Sequence, residues 1–210
     1  MPPAVDRPIL HFTHVDNLPG VIASGGLDAD SILSEDDTSI VDCAEAGIKE
    51  RRRGMAVKVA PFGYVSEYVP FYFAPRSPMM YRINRGSVQS YAGTAAQLVY
   101  LVSSVQIVEE AGLQWVCSDG NCGTRITDHY NQWQDLETAV DWDVMRAQTW
   151  ANTDEDGDRK RRRAAEFLVS EKFPLACIRA SIVKTETMAA RVRAVLPQDI
   201  VVNVDPNYYF

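Results

Sequence analysis

No apolar run in this 210-residue chain approaches the roughly 20 residues needed to cross a membrane. The opening Met-Pro-Pro-Ala-Val-Asp carries neither the basic nor the apolar region of a secretory leader. A soluble, cytoplasmic protein with no membrane partner is the expectation. There is no Gly-x-Gly-x-x-Gly and no Walker loop, which argues against a dinucleotide-binding Rossmann unit and a P-loop site. Internal repeats and low-complexity tracts are also missing. Histidine is scarce, with only His11, His14 and His129. Of the four cysteines, Cys43, Cys117, Cys122 and Cys177, only the middle two are close, and their spacing does not match Cys-x-x-Cys. No metal site is therefore expected, and the thiols are read as buried or incidental.

What is present is a chain of ordinary apolar content, 46%, long enough to bury a sizeable core in one domain spanning 1–210. The net charge is -7, but it is unevenly spread. Residues 49–85 carry eight Lys/Arg against two Glu, and residues 159–163 are five consecutive cations. Two readings are open. The basic segments can meet in a phosphate-binding groove, or each can be a solvated helix face paired with acids such as Asp154, Glu155, Asp156 and Asp158.

Local patterns give an irregular mixture of strands and short helices. Ile9 to Thr13 has the alternation of a strand, followed by a short helix opened by Asn17-Leu18-Pro19 and closed by Gly25-Gly26. Residues 28–43 are polar and acidic, as in a loop, and 44–53 form a helix ending in basic residues. Residues 54–67 form an extended loop, 68–74 a strand, and Ser77-Pro78 the start of a helix. Further strands are expected at 98–102, 113–117, 165–169, 176–183 and 200–204, with short helices near 133–147 and an amphipathic one over 185–196. Without regular βα alternation, the fold class is α+β.

Three groups of residues can carry chemistry. His11 and Thr13 share one face of a strand and, with Asn17, can grip the amide and hydroxyls of a ligand; a helix cap plus a satisfied core histidine is the plainer alternative. Residues 68–81 pack aromatics, Arg76 and prolines around a turn, which suits either flat ring systems or a core strand. Glu166 lies in the apolar stretch Ala164-Ala165-Glu166-Phe167-Leu168-Val169, where a carboxylate is rare unless paired, for instance to Arg162 or Arg163, or functional.

Four blocks in this order resemble the DarT DNA ADP-ribosyltransferases, toxins of DarTG toxin–antitoxin systems. They are His11-Phe12-Thr13-His14-x-x-Asn17-Leu18-Pro19, then Val69-Pro70-Phe71-Tyr72-Phe73-x-Pro75-Arg76-Ser77-Pro78-Met79-x-Tyr81, then Cys117-Ser118-Asp119-Gly120-Asn121, and Arg162-Arg163 running into Ala164 to Val169. The resemblance implies one ADP-ribosyltransferase domain whose two small β-sheets, flanked by short helices, form an NAD cleft. NAD would be consumed as a substrate, with His11, Thr13, Asn17, Tyr72 and Tyr81 holding it. Glu166 would be the catalytic glutamate and Arg51 the catalytic arginine, with Arg52 the alternative match. Arg52, Arg76, Arg162 and Arg163 are candidate contacts to single-stranded DNA. The polar stretch before Glu166 would read the target base, and Cys122-Gly123 departs from the small residues the family carries there. A DarG-type macrodomain antitoxin, encoded separately, is the implied partner.

The implied reaction is transfer of ADP-ribose to a base, thymidine in the family, in single-stranded DNA, where base edges are open. Breaking the glycosidic bond of NAD leaves positive charge on the ribose, which a carboxylate stabilises. A guanidinium such as Arg51 would stabilise the deprotonated base. The competing readings are a guanine-directed DNA transferase, an NAD-using transferase acting on an RNA 2′-phosphate, a protein-directed ADP-ribosyltransferase, and a silent nucleic-acid-binding module.

Overall fold

The computed structural model describes residues 6–33, 40–44 and 46–210. Residues 34–39 of the loop expected over 28–43 lie outside them, as does Glu45 of the helix expected over 44–53. The chain runs β1 (Pro8–His14), α1 (Leu18–Ser24), β2 (Gly26–Asp28), α2 (Ala46–Arg53), β3 (Tyr68–Tyr72), α3 (Pro78–Asn84) and β4 (Leu98–Ser104). It continues through α4 (Val105–Glu110), β5 (Trp115–Ser118), β6 (His129–Tyr130), α5 (Trp133–Ala139), α6 (Trp142–Arg146) and α7 (Arg159–Arg163). It closes with β7 (Glu166–Ser170), β8 (Lys172–Pro174), β9 (Ala180–Val183), α8 (Glu186–Arg193) and β10 (Val201–Val204). The termini follow local chemistry. Gly25 ends α1 at φ 78°, where a side chain would be strained. The Ser77 hydroxyl accepts from Met80 N to start α3, with Pro78 at its first position.

Eight strands hydrogen-bond in the order β10-β9-β4-β1-β3-β7-β5-β6, and β2 pairs separately with β8. The two sheets that the resemblance implies are thus joined into one ladder, but only narrowly. β1 meets β4 along seven residue pairs, whereas it meets β3 through a single pair, Leu10↔Tyr72. Beyond that point β1 and β3 part, leaving a gap between a β10-β9-β4-β1 half and a β3-β7-β5-β6 half.

Packing on the two faces differs. On one, alternate side chains from both halves, including Ile9, Val69, Phe71, Val99, Leu101, Trp115, Phe167 and Val169, merge into a continuous core with Val105, Val108, Leu136, Ala189 and Val192 from α4, α5 and α8. On the other, the core is split. Leu10, Phe12, Leu98 and Tyr100 pack with Met80 and Ile83 of α3, while Tyr68, Val116 and Leu168 pack separately with Val57, Val65 and Cys122. Tyr72 and Glu166, paired across β3 and β7, sit where that split falls.

Two expectations change. The strand placed over 176–183 begins only at Ala180, because Leu175–Cys177 is a tight 3-10 turn after Pro174. The β2–β8 ribbon and the two-residue β6 were not expected; both are too short to show alternation. Among the described residues, no helix is long and apolar enough to cross a membrane.

Candidate active site

Glu166 is the first residue of β7 and only 2% exposed. A carboxylate buried this far needs donors, and it has two, which make three hydrogen bonds. Arg52 Nη1 donates to Oε1 at 3.0 Å and to Oε2 at 2.8 Å, and the Cys122 backbone N–H donates to Oε1 at 3.0 Å. A carboxylate has about four acceptor positions, so Oε2 keeps one open. Burial opposes the charge of Arg52, yet the Glu166 carboxylate beside it holds the guanidinium pKa above its ordinary value. Arg52 is therefore a fixed cation and cannot serve as a base.

The backbone of Glu166 is fixed as firmly as its side chain. Its N–H donates to Ser118 Oγ at 2.9 Å, and that hydroxyl donates to Gly120 O at 2.8 Å. One buried serine thereby ties the start of β7 to the turn that presents Cys122 N–H. On the other side, Tyr72 faces Glu166 across the ladder and stacks on Phe12, with ring centroids 6.0 Å apart. Burial, and then the neighbouring Glu166, push the Tyr72 phenol well above its usual range, so it stays protonated and able to donate.

Along the parting strand, His11 bridges the gap. Its Nδ1–H donates to Pro70 O at 2.8 Å, which fixes the tautomer and leaves Nε2 as an acceptor. Burial lowers its pKa despite that hydrogen bond, so the ring is neutral. Asn17 donates to Thr13 Oγ1 at 3.0 Å and to Val41 O at 2.9 Å, while its Oδ1 accepts from Val41 N at 2.8 Å. This amide clamp holds the segment after the acidic loop against β1. Beside it lies a cavity of about 570 Å³ lined by His14, Val41, Asp42, Ser90, Tyr91 and Gln97, among others.

The structure brings Glu166, Arg52 and Tyr72 together, with His11 and Thr13 along the adjoining strand and Asn17 in the 3-10 turn that follows it. It does not bring Arg51 to them. Arg51 is exposed, because one residue turns a helix by about 100° and it is Arg52 that points at Glu166. Arg52, expected as a DNA contact or as the alternative catalytic arginine, holds that carboxylate. Tyr81 sits outside this group, 43% exposed and edge-on to Trp150 and Phe210.

The basic run forms α7, and most of its charge is absorbed by protein. Arg161 pairs with Asp158 at 2.7 Å and with Asp119 at 3.0 Å, and Arg162 pairs with Asp141 and Asp156. Arg163 is 5% exposed and donates to the carbonyls of Val144, Met145, Ala147 and Pro75. Arg162, expected as a DNA contact, is thus paired with two aspartates, and Arg163, expected likewise, is held by carbonyls. The reading as a helix paired with nearby acids fits Arg161 and Arg162; a cage of carbonyls around Arg163 was foreseen by neither reading. Sequence reasoning also passed over Ser118 and the Cys122 N–H. Ser118 lies in a quoted block, and a hydroxyl at the end of an apolar strand was the available signal. Among the described residues no group of three His, Cys, Asp or Glu is placed to hold a metal ion.

A buried carboxylate with one open acceptor position, beside a permanent cation and at the seam of two half-sheets, is suited to binding a hydroxyl where positive charge develops. The family described as "DarT: ssDNA thymidine ADP-ribosyltransferase, DarT" matches residues 10–210. A DNA ADP-ribosyl transferase of Mycobacterium tuberculosis strain H37Rv is 40% identical over 192 residues, 90% of this chain and 81% of that protein. The Thermus sp. 2.9 DarT in complex with ADP-ribosylated ssDNA superposes with a TM-score of 0.89 at 33% identity, covering 97% of this chain and 96% of that one. Its complex with NAD+ gives a TM-score of 0.85 at 31% identity over the whole of both chains. A Thermosipho africanus DNA ADP-ribosyl transferase–DNA ADP-ribosyl glycohydrolase fusion protein is 26% identical over 212 residues, 97% of this chain and 50% of the fusion.

Proposed function

Because the chain belongs to the DarT family of single-stranded DNA thymidine ADP-ribosyltransferases, we propose that its Glu166–Arg52 pair is the centre at which ADP-ribose passes from NAD to thymidine. The observation that carries this assignment is the pairing itself, a 2%-exposed carboxylate held by Arg52 at 2.8 Å at the gap between the half-sheets. NAD is the substrate consumed, and the bond broken is the one joining its ribose to nicotinamide. Glu166 Oε2 accepts from a hydroxyl of that ribose and stabilises the positive charge that builds on the sugar. Tyr72 and His11 border the nicotinamide end, and Thr13 and Asn17 fix the strand and clamped segment that line the rest of the molecule. The attacking atom is a ring nitrogen of thymine: its proton passes to solvent water, its bond to the ribose carbon forms, and the ribose–nicotinamide bond breaks to release nicotinamide. Arg52, a cation whatever the pH, stabilises the anionic base at that moment.

The family implies a toxin, and we extend that role to a partner. The Thermosipho relative joins a transferase to a glycohydrolase, which supports a DarG-type antitoxin that removes the ADP-ribose. A DNA substrate is consistent with work in the cytoplasm.

Incubation with NAD and, in separate reactions, single-stranded DNA, duplex DNA, RNA and protein, followed by mass spectrometry, tests the assignment. ADP-ribose should appear on thymidine of the single strand, and Glu166→Gln should slow its appearance by about 10²-fold or more. Undiminished transfer by Glu166→Gln would remove the carboxylate from the mechanism.

A further inference from the structure

Helix α2 carries Arg52 to the reaction centre, yet it has almost nothing apolar to hold it there. Ile48 is its one large apolar residue, and none of its described side chains belongs to the three apolar cores. Lys49, Arg51, Arg52 and Arg53 put four cations into five positions, with Glu50 the one acid among them. A helix without an apolar stripe takes its orientation from polar contacts instead.

Those contacts converge on one residue. Lys49 Nζ lies 2.8 Å from Asp30 Oδ1 and 2.8 Å from Asp42 Oδ2. Burial opposes its charge, but the hydrogen bonds to Asp30 and then Asp42 outweigh burial and hold its pKa above the usual lysine value. The two aspartates belong to different parts of the fold, and each is itself fixed. Asp30 follows β2 and is pinned by its neighbours, Ala29 N–H donating to Glu171 O at 2.8 Å and Ser31 N–H to Ser66 O at 3.0 Å. It also accepts from Arg53 Nη2 at 3.4 Å. Asp42 follows Val41, whose N–H and C=O are both held by the Asn17 amide. Its own Oδ1 accepts from Ala44 N–H at 2.8 Å. Lys49 therefore ties α2 to the end of the β2–β8 ribbon and to the clamped segment at once.

Helical spacing carries this to the reaction centre. Residues 49, 52 and 53 stand at i, i+3 and i+4 and share one side of the helix. With Lys49 and Arg53 held on acids, Arg52 is turned the same way, onto Glu166 at 2.8 Å, and Arg51 is left facing solvent.

We propose that Lys49 is a positioning residue for the transfer reaction: held between Asp30 and Asp42, it sets the rotation of α2 that seats Arg52 on Glu166. This rests on the assignment of the Glu166–Arg52 pair as the reaction centre.

The test follows ADP-ribose transfer to a single-thymidine oligonucleotide by the intact protein, as a single-turnover rate at saturating NAD and DNA and as the KM for each. Lys49→Met, which keeps the length and removes the charge, should slow the saturated rate about tenfold, as expected when a reacting group is slightly displaced. Each KM should change by less than about threefold, since binding is left intact. Asp30→Asn should cause a loss of the same order, and the double variant should lose less than the product of the two. Lys49→Arg keeps the charge and should retain the rate within about threefold. In Arg52→Ala, with no guanidinium to seat, Lys49→Met should cost less than about twofold further. Part-exposed ion pairs add little stability, so the Tm of Lys49→Met should stay within about 4 °C of the parent. A raised KM with the rate intact, a rate loss accompanied by a larger fall in Tm, or a loss that multiplies in full on Arg52→Ala would overturn the role of Lys49. Undiminished transfer by Arg52→Ala itself would instead overturn the reaction centre, so the two failures are distinct.

Discussion

Single side chains set this site, and they do so through groups that cannot go unpaired. Ser118 joins Glu166 N–H to Gly120 O and has no exposure; its loss would leave a buried N–H without an acceptor. Arg163 is the larger case. Its guanidinium satisfies carbonyls of Val144, Met145, Ala147 and Pro75, and no aspartate or glutamate among the described residues shares the charge. Replacing it by Met fills the volume but strands those acceptors, each worth about 1–3 kcal/mol when buried. Arg163→Met should therefore lower stability by about 3 kcal/mol or more, a fall of roughly 10 °C in Tm by calorimetry. A Tm within about 2 °C of the parent protein would mean that the carbonyls find other donors.

Elements decide which residues meet, and they explain what was legible in the sequence. β1 shows alternation and β7 is a continuous apolar run, so Glu166 stood out as a charge on a buried strand before any geometry was known. The end of α2 gave no comparable signal. Ala46–Arg53 has Ile48 as its one large apolar residue, so its burial pattern does not say which of Arg51, Arg52 and Arg53 faces inward. Only the folded position of α2, from which Arg52 reaches Glu166 at the start of β7, selects Arg52. The partners of α7 were hidden for a different reason. Asp141 lies 21 residues before Arg162, and sequence proximity suggested only the acids at 154–158. Two of those, Asp156 and Asp158, do pair with the run. The joining of the half-sheets was equally out of reach, because it depends on one pair, Leu10↔Tyr72.

At the scale of the whole molecule, stability carries a pH signature. His11, His14 and His129 all have lowered pKa values, with burial the leading cause in each. His129 is buried with neither ring nitrogen hydrogen-bonded. The unfolded chain takes up protons near pH 6.5, while the folded chain does so only at lower pH. Stability should thus be complete above about pH 6.5 and fall as pH drops through it, and a Tm unchanged between pH 7.5 and 5.5 would contradict this. His129→Phe should flatten part of the fall, since it removes one of the three groups. The split core and the narrow β1–β3 junction together create the gap in which Glu166, Arg52 and Tyr72 converge, and the account depends on that convergence. Its most direct test is the rate of ADP-ribosyl-thymidine formation in Arg52→Ala and Arg51→Ala, measured side by side on one single-stranded oligonucleotide. We predict a loss of about 10²-fold or more for Arg52→Ala and less than about threefold for Arg51→Ala. Near-normal rates in Arg52→Ala, or the reverse order of the two variants, would contradict the account.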